Sequence, residues 1–485
     1  MFDPLSQPLR GTHSIEASAG TGKTFSITVL WLRLLVEEKL PVEQILVSTF
    51  TRAATAELKE RLLRTLQRAL QSVDGSLLGS GTTATPPPEQ SIVQSAIADG
   101  LESRDALRKR LGEALSSFDL APISTIHGFC QTLISRHALE LGCDPGLTLV
   151  EDSGDLLDQI VSDTVLSFAH ESDAEPDKLP SLLGSIAPAI ASRPYAAFHA
   201  DPNSPAQSLH DRIRTELPIR KALAGVRTFD DILTIVHDAL ETQGADGMLA
   251  QSVRKRLSAA IIDECQDSDT IQIKVFQTLF HHPDVRSFIV IGDPKQSIYR
   301  FRGADLTSYK ELARAAKRAP QMSLNHRSDA PLIAAINRLY GDHYTFPDSS
   351  NADSPTGYIP VSAKCNEARI TDPDLVGALV LNRASSSVRN HAKSEIVSWL
   401  GTECERLLGR TTKIKDRHSQ EERRLLPGDI AVIAATKSDL NLVRHELLAL
   451  RIPCQIDGKG LGSVFQSDEA LDILAWLELN EALSE

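Results

Sequence analysis

The stretch Ile15-Glu16-Ala17-Ser18-Ala19-Gly20-Thr21-Gly22-Lys23-Thr24 constrains this chain more than any other. A short strand-like run, Thr12 to Ala17, precedes it and a long helical pattern follows it. That is the context a phosphate-binding loop requires. In such a loop the backbone N–H groups of Ala17, Ser18, Ala19, Gly20, Thr21 and Gly22 wrap the β- and γ-phosphates of a nucleotide. Lys23 neutralises phosphate charge, and the Thr24 hydroxyl ligates Mg²⁺. The helix that follows turns its positive dipole end toward the same anion. Ala17 stands where glycine is usual, one small residue for another.

The segments around the loop read as a doubly wound α/β domain. Phe25 to Leu40 is helical, with apolar residues on most sides, as expected of a helix packed on a sheet; Pro41 ends it. Gln44 to Phe50 is a β-branched apolar run that suits a buried parallel strand. Thr51 then caps a helix reaching Leu70. Residues 71–98, rich in Ser, Thr, Gly and Pro, read as a loop excursion outside the core. Helical pattern resumes at Leu101 to Phe118. Pro122 to Cys130 reads as a strand end passing into a helix. Residues 134–225 read as mostly helical, broken at Asp144-Pro145-Gly146 and near Pro180, Pro188, Pro194 and Pro202.

A second signal is Ile261-Ile262-Asp263-Glu264-Cys265-Gln266-Asp267. An apolar strand, Leu257 to Ile262, ending in Asp-Glu places two carboxylates at the carboxyl edge of a parallel sheet, beside the phosphate loop. Asp263 suits direct or water-mediated Mg²⁺ coordination. Glu264 suits positioning and deprotonating an attacking water. The third signal follows another apolar strand, Ser287 to Ile291: Gly292-Asp293-Pro294-Lys295-Gln296-Ser297-Ile298-Tyr299-Arg300-Phe301-Arg302. Gln296 is placed to sense the γ-phosphate. Tyr299, Phe301 and Arg302 offer aromatic and guanidinium faces on which bases stack without regard to sequence.

Together these segments resemble the ATP-binding region of superfamily 1 DNA helicases of the UvrD/Rep/PcrA group, and within it the RecB branch of helicase–nucleases. Further segments carry the likeness: Phe2-Asp3-Pro4-Leu5 with Pro8, Leu9 and Gly11; Thr49-Phe50-Thr51-Arg52-Ala53-Ala54-Thr55-Ala56-Glu57-Leu58; Thr125-Ile126-His127-Gly128-Phe129-Cys130-Gln131; and Phe229-Asp230-Asp231. The resemblance implies an ATP–Mg²⁺ site at Lys23, Thr24, Asp263 and Glu264, with Gln296 reporting the γ-phosphate. It implies single-stranded DNA contacts at Thr51, Thr125, His127, Tyr299, Phe301 and Arg302. In Asn325-His326-Arg327-Ser328 it implies adenine stacking on His326, where Tyr or Trp is usual, and an approach of Arg327 to the γ-phosphate. It implies 3′-to-5′ polarity, single-stranded DNA and single/double-strand junctions as ligands, and RecC- or RecD-like subunits as partners.

The implied organisation is a first RecA-like domain in two parts, 1–133 and 226–325, a helical insertion at 134–225, and an incomplete second RecA-like domain at 326–485. In that last part the pattern predicts a helix near 331–340, an irregular stretch at 345–356, a strand at 429–435, a helix at 438–450, an extended run at 452–457 and a helix at 467–482. A Thr-x-His-x-x-Lys-Gly-Leu-Glu segment, a helix bearing a catalytic arginine finger and a nuclease domain are not found in the sequence. It therefore reads as a truncated form, and an ATP- and DNA-binding subunit without useful turnover, or a chain completed by another that supplies those motifs, stays open. A P-loop kinase or transporter ATPase is disfavoured, because the 296–302 run has no role in either.

Bulk numbers exclude less. A chain of 485 residues suits about three domains. The net charge of -13 disfavours indiscriminate nucleic-acid binding but leaves room for a local track. Arg108-Lys109-Arg110 and Arg254-Lys255-Arg256 read as solvated helix faces. The six cysteines contain no CxxC pair and read as reduced thiols. No apolar run approaches the ~18 residues of a membrane span, and the N-terminus does not read as a signal peptide, so a cytoplasmic, membrane-free protein is expected.

Overall fold

The computed structural model describes residues 2–74, 86–141, 143–144, 146–150, 153–171, 179–191, 200–341, 358–375, 377–409, 411–416 and 420–456, with positions 473 and 476. Two compact units divide the chain: Met1–Arg327 with Tyr340–Ser362, and Ser328–Leu339 with Ala363–Glu485.

In the first unit, β1 (Gly11–Glu16) leads through the small-residue loop into α1 (Lys23–Val36). Then come β2 (Ile45–Thr49), α2 (Arg52–Val73), α3 (Pro88–Ala98), α4 (Arg104–Ser116), β3 (Ile123–Thr125) and α5 (Ile126–His137). A two-residue strand β4 (Thr148–Leu149) precedes α6 (Gly154–Glu171), α7 (Leu179–Ala191) and α8 (Pro205–Leu223), and β5 (Val226–Arg227) pairs back on β4 in parallel. The unit continues with α9 (Phe229–Gln243), α10 (Met248–Arg256), β6 (Ala259–Ile262), α11 (Thr270–Phe280), β7 (Ser287–Gly292), α12 (Leu306–Ala315) and β8 (Lys317–Arg318).

Six strands form one parallel sheet in the order β3-β2-β6-β7-β1-β8. Side chains alternate between its faces, as the pleat demands. Ile15, Ile45, Val47, Ile261, Ile289 and Ile291 join α1–α4 in one core. Leu46, Ala260, Ile262, Phe288 and Val290 join α5 and α9–α12 in the other. Both faces are covered, which explains why the central strands are apolar throughout. Helix α1 is buried on most sides because α2 and α3 overlie it, and its Trp31 meets Phe118 edge-on at 6.1 Å. Helices α6–α8 enclose a separate core of their own around Ile160, Leu183, Leu209 and Ile213.

Two sequence expectations are corrected here. Within the span 71–98, the described residues 71–74 and 86–98 are not a loop outside the core: α2 runs to Val73, and α3 buries Ile92, Val93 and Ala96 against α1 and α2. Pro87-Pro88 opens α3, because proline suits the first helical turn, where its missing N–H is not needed. Pro188 does not break a helix but lies within α7. The expected breaks at Pro145 and Pro194 fall outside the described residues.

In the second unit, α13 (Ala330–Tyr340), α14 (Arg389–Leu407) and α15 (Lys437–Ala449) are formed. An antiparallel sheet joins Ile370–Thr371, Lys413–Lys415 and Glu422–Arg424. The strand expected at 429–435 does not form: the one-turn 3₁₀ helix Pro427–Asp429 ends at its first residue, and irregular backbone follows. A strand exists through its ladder, and among the described residues this run pairs with no other. The expectations for 345–356 and 467–482 lie outside the described residues, apart from 473 and 476. Among the described residues, no helix is long and apolar enough to cross a membrane. All six cysteines are free thiols, and burial pushes those of Cys130 and Cys265 up to about 12.

Candidate functional site

The carboxyl ends of the parallel strands gather the sequence signals at one sheet edge. The Ala17–Gly22 loop follows β1, Thr51 follows β2, Thr125 ends β3, Asp263-Glu264 follows β6 and Asp293 follows β7. This is where open parallel sheets bind ligands.

Gly20 (φ +74) and Gly22 (φ +95) carry the loop through the left-handed region, which glycine enters without penalty. Gly22 is the N-cap of α1, no side chain caps that helix, and its first turn has no acidic residue. Its leading N–H groups and dipole therefore face the loop without a competing anion. The Thr21 hydroxyl donates to the Ser18 carbonyl (2.6 Å). The buried Ser18 hydroxyl has no hydrogen-bond partner among the described residues. Residues 325–327 line the loop from the far end of the unit. Asn325 Nδ2 donates to the Ala19 carbonyl (2.8 Å), His326 N–H to the Gly20 carbonyl (2.7 Å), and Arg327 N–H to Asn325 Oδ1 (2.9 Å). A Cβ at Gly20 would stand 2.7 Å from Asn325 Nδ2 and 2.8 Å from Arg327 Cβ. The His326 ring lies 3.9 Å from the corresponding position at Gly22.

Lys23 Nζ reaches both carboxylate oxygens of Glu264 at 2.7 Å. Glu264 holds a left-handed backbone conformation (φ 51, ψ 40), uncommon for a side chain of its size. Gln266 Nε2 donates to Glu264 Oε2 (2.9 Å). Asp263 is fixed by its own N–H, which donates to the Ser48 carbonyl (2.8 Å), and its Oδ1 accepts from Glu264 N–H (2.9 Å). Burial, then the neighbouring Glu264 charge, push the Asp263 carboxyl up to about 7; Lys23 and the Glu264 N–H work against this. Burial and Glu264 likewise push Asp267 up to about 6. Three carboxyl groups thus face one ammonium, and the environment disfavours ionisation of Asp263 and Asp267. A hard cation would reverse that balance. The donors fit Mg²⁺, which takes one or two protein oxygens and completes its shell with phosphate and water; Thr24, half-buried in the first turn of α1, is the hydroxyl next to Lys23 in sequence.

The loop after β7 begins at buried Asp293. Its carboxylate accepts from Gln296 Nε2 (2.6 Å) and pairs with Lys295 Nζ (2.9 Å). Tyr299 stacks on Phe50 (centroids 5.2 Å apart, planes at 25°), and Phe301 lies 6.0 Å beyond it, 72 % exposed. Arg302 closes the 3₁₀ turn Arg300–Arg302. The Thr51 and Thr125 hydroxyls cap α2 and α5, accepting from Ala54 N–H (3.1 Å) and Gly128 N–H (3.2 Å). As caps these hydroxyls accept, which leaves the proton of each available to a further acceptor. His127 meets Phe229 edge-on at 5.9 Å, and burial lowers its pKa. The Arg52 guanidinium lies 5.8 Å over the same Phe229 ring.

Sequence reading assigned no role to Phe50, Gln266 or Asn325. Phe50 carried a signal, an aromatic ring at the carboxyl end of a buried strand. The roles of Gln266 and Asn325 depend on contacts across 27 and 306 residues, which local pattern does not reveal.

Such a sheet, loop and acidic strand end define a P-loop nucleoside-triphosphate-binding protein. Residues 4–317 match the UvrD/REP helicase N-terminal domain, and the chain belongs to that family. It is similar to the RecBCD enzyme subunit RecB of Mycolicibacterium smegmatis, at 32 % identity over 100 % of this chain and 43 % of that protein. The same subunit of Mycobacterium tuberculosis is 28 % identical over 99 % of this chain and 43 % of its own length. That of Escherichia coli is 26 % identical over 98 % and 50 %. The chain thus spans about half the length of these curated relatives.

Proposed function

We propose that this chain is the ATP-binding motor region of a UvrD/RecB-like DNA helicase. It couples single-strand-dependent ATP hydrolysis to 3′-to-5′ movement and unwinding, in recombination and double-strand-break repair in the cytoplasm. The observation that carries this reading is one sheet edge bearing two chemistries: the Lys23–Glu264 pair at 2.7 Å and the Phe50–Tyr299 stack at 5.2 Å. Both are anchored to strands of the same parallel sheet.

The loop amides of residues 17–22 and the dipole of α1 receive the phosphates, with Lys23 neutralising them. Phosphate binding draws Lys23 from Glu264, whose carboxylate then accepts the proton of the attacking water. Mg²⁺, when bound, neutralises developing charge on the phosphates; Thr24 and Asp263 are the residues that would hold it. Arg327 approaches the γ-phosphate, His326 stacks on adenine, and Gln296 reports the γ-phosphate to the loop that follows. Tyr299, Phe301 and Arg302 take single-stranded bases, while Thr51, Thr125 and His127 contact the strand. Residues 326–485 supply part of a second RecA-like domain. The ligands are single-stranded DNA and single/double-strand junctions. The relatives' names as subunits of a RecBCD enzyme support, as partners of this chain, RecC- and RecD-like subunits or a chain that supplies the further helicase motifs.

The direct test is phosphate release from Mg·ATP with and without oligothymidylate. Hydrolysis stimulated by the oligonucleotide and lost in Lys23→Ala is expected. A chain that neither binds nor hydrolyses ATP overturns the reading.

A further inference from the structure

Gln266 is almost fully buried, 1 % exposed, and its amide joins two segments given separate roles above. On one side Nε2 donates to Glu264 Oε2 (2.9 Å) and to Asp267 Oδ2 (3.3 Å). On the other side Oε1 accepts from Asp293 N–H (2.9 Å), the first residue of the loop that carries Gln296 and Tyr299. The main chain repeats the link: the Ser297 hydroxyl donates to the Gln266 carbonyl (3.2 Å). Gly292 is shaped around this amide, since a Cβ there would stand 2.8 Å from Gln266 Oε1.

The position demands one donor aimed at carboxylates and one acceptor aimed at an N–H, about one glutamine apart. An ionised glutamate would put a third negative charge against Glu264 and Asp267. A methionine fills similar space and makes neither bond. Asp293 passes the link onward, because its carboxylate holds Gln296 Nε2 (2.6 Å) and Lys295 Nζ (2.9 Å). A chain of hydrogen bonds therefore runs Lys23, Glu264, Gln266, Asp293, Gln296 inside one compact unit.

We infer that Gln266 is the positioning residue that couples nucleotide occupancy at Lys23 and Glu264 to the single-strand-binding loop at 293–302. This rests on the ATP and DNA reading proposed above. When phosphate takes the Lys23 ammonium, Glu264 loses two short hydrogen bonds and Gln266 remains its fixed partner. Any adjustment of the carboxylate then pulls on the Asp293 N–H, and with it the register of the loop that presents Tyr299. Hydrogen bonds linked in a chain polarise one another, so a change at the Glu264 end is felt along it.

The test measures linkage rather than affinity. With the whole chain, binding of a ribose-labelled fluorescent ATP analogue with Mg²⁺ is titrated with and without saturating oligothymidylate. Linked sites change each other's affinity by about 5–150-fold. Wild type is expected in that range, and Gln266→Met should bring the ratio to within about 2-fold of unity. Gln266→Glu supplies a second arm. Its ratio should be near unity at pH 8 and recover toward pH 5.5, where a protonated carboxyl again donates to Glu264 and accepts from Asp293. Asp263 and Asp267 titrate across the same range in every variant, so the recovery is read against the wild-type ratio at each pH; a residue that merely filled space would give no recovery relative to it. This arm also stands if Gln266→Met fails to fold. Wild-type linkage retained in Gln266→Met, a pH-independent ratio in Gln266→Glu, or two unlinked ligands in wild type overturns the inference while the ATP and DNA reading survives. Absence of any nucleotide binding by wild type removes that reading, and the inference with it.

Discussion

The Lys23 ammonium and the Glu264 carboxylate, 241 residues apart in sequence, meet at 2.7 Å through both carboxylate oxygens. In the proposed function these are the phosphate-binding cation and the proton-accepting base, which satisfy each other until a phosphate competes for the cation. Glu264→Gln keeps the shape and removes the base. Hydrolysis should slow by about 10²–10⁴-fold, the usual worth of general-base catalysis. Nucleotide affinity should hold or rise, since Lys23 no longer has a carboxylate to leave. Single-turnover hydrolysis alongside equilibrium binding separates the two effects.

The acidic strand end predicts an unusual pH dependence. Asp263 is pushed up to about 7 and Asp267 to about 6, so folding takes up protons there. Their contribution to stability is full below an ordinary aspartate pKa of about 4 and is lost as pH rises through about 4–7. Without nucleotide and Mg²⁺, the chain should therefore be more stable toward denaturant at pH 5.5 than at pH 8. The Asp263 part should be on the order of 2 kcal/mol. Asp263→Asn should flatten the profile, and Mg·ATP should oppose it at pH 8. Urea unfolding across pH 5–8 checks both.

The stack of Tyr299 on Phe50 with exposed Phe301 beyond it offers a platform for bases. Tyr299→Ala should weaken oligothymidylate binding by about 1–3 kcal/mol, the usual cost of losing one base–aromatic stack. Because phosphate contacts carry the salt dependence, its slope against salt should stay unchanged. Fluorescence anisotropy at several salt concentrations reads both quantities.

Two glycines that share a positive φ should respond differently to alanine. Gly20 (φ +74) faces Asn325 and Arg327 at 2.7–2.8 Å from a would-be Cβ, whereas Gly11 (φ +93) has nothing within 4 Å. Gly11→Ala should cost about 1 kcal/mol of backbone strain alone. Gly20→Ala adds a collision and should cost more, up to about 3 kcal/mol, and weaken nucleotide binding. Thermal unfolding of the pair decides the matter.

The sheet and its loop were legible because their signals are local. The run Ile15 to Thr24 states strand, turn and helix within ten residues, and Ile261 to Glu264 states a buried strand with acids at its end. Composition misled at 71–98, where a Ser/Thr/Pro-rich context hid the spacing of Ile92, Val93 and Ala96 that buries α3. Proline misled at Pro188, which the helix α7 contains. The apolar run at 429–435 has a strand's composition, but a strand also needs a neighbour. Gln266 and Asn325 were invisible for a different reason: each is defined by a bond to a distant segment.

The most direct test of the account is equilibrium binding of a fluorescent ATP analogue with Mg²⁺ to wild type and to Lys23→Ala. A charge-assisted bond to phosphate is worth about 1.5–3 kcal/mol, so the variant should bind about 10–150-fold more weakly. Equal binding by the two chains, or none by wild type, would contradict the claim that the Ala17–Thr24 loop holds the nucleotide.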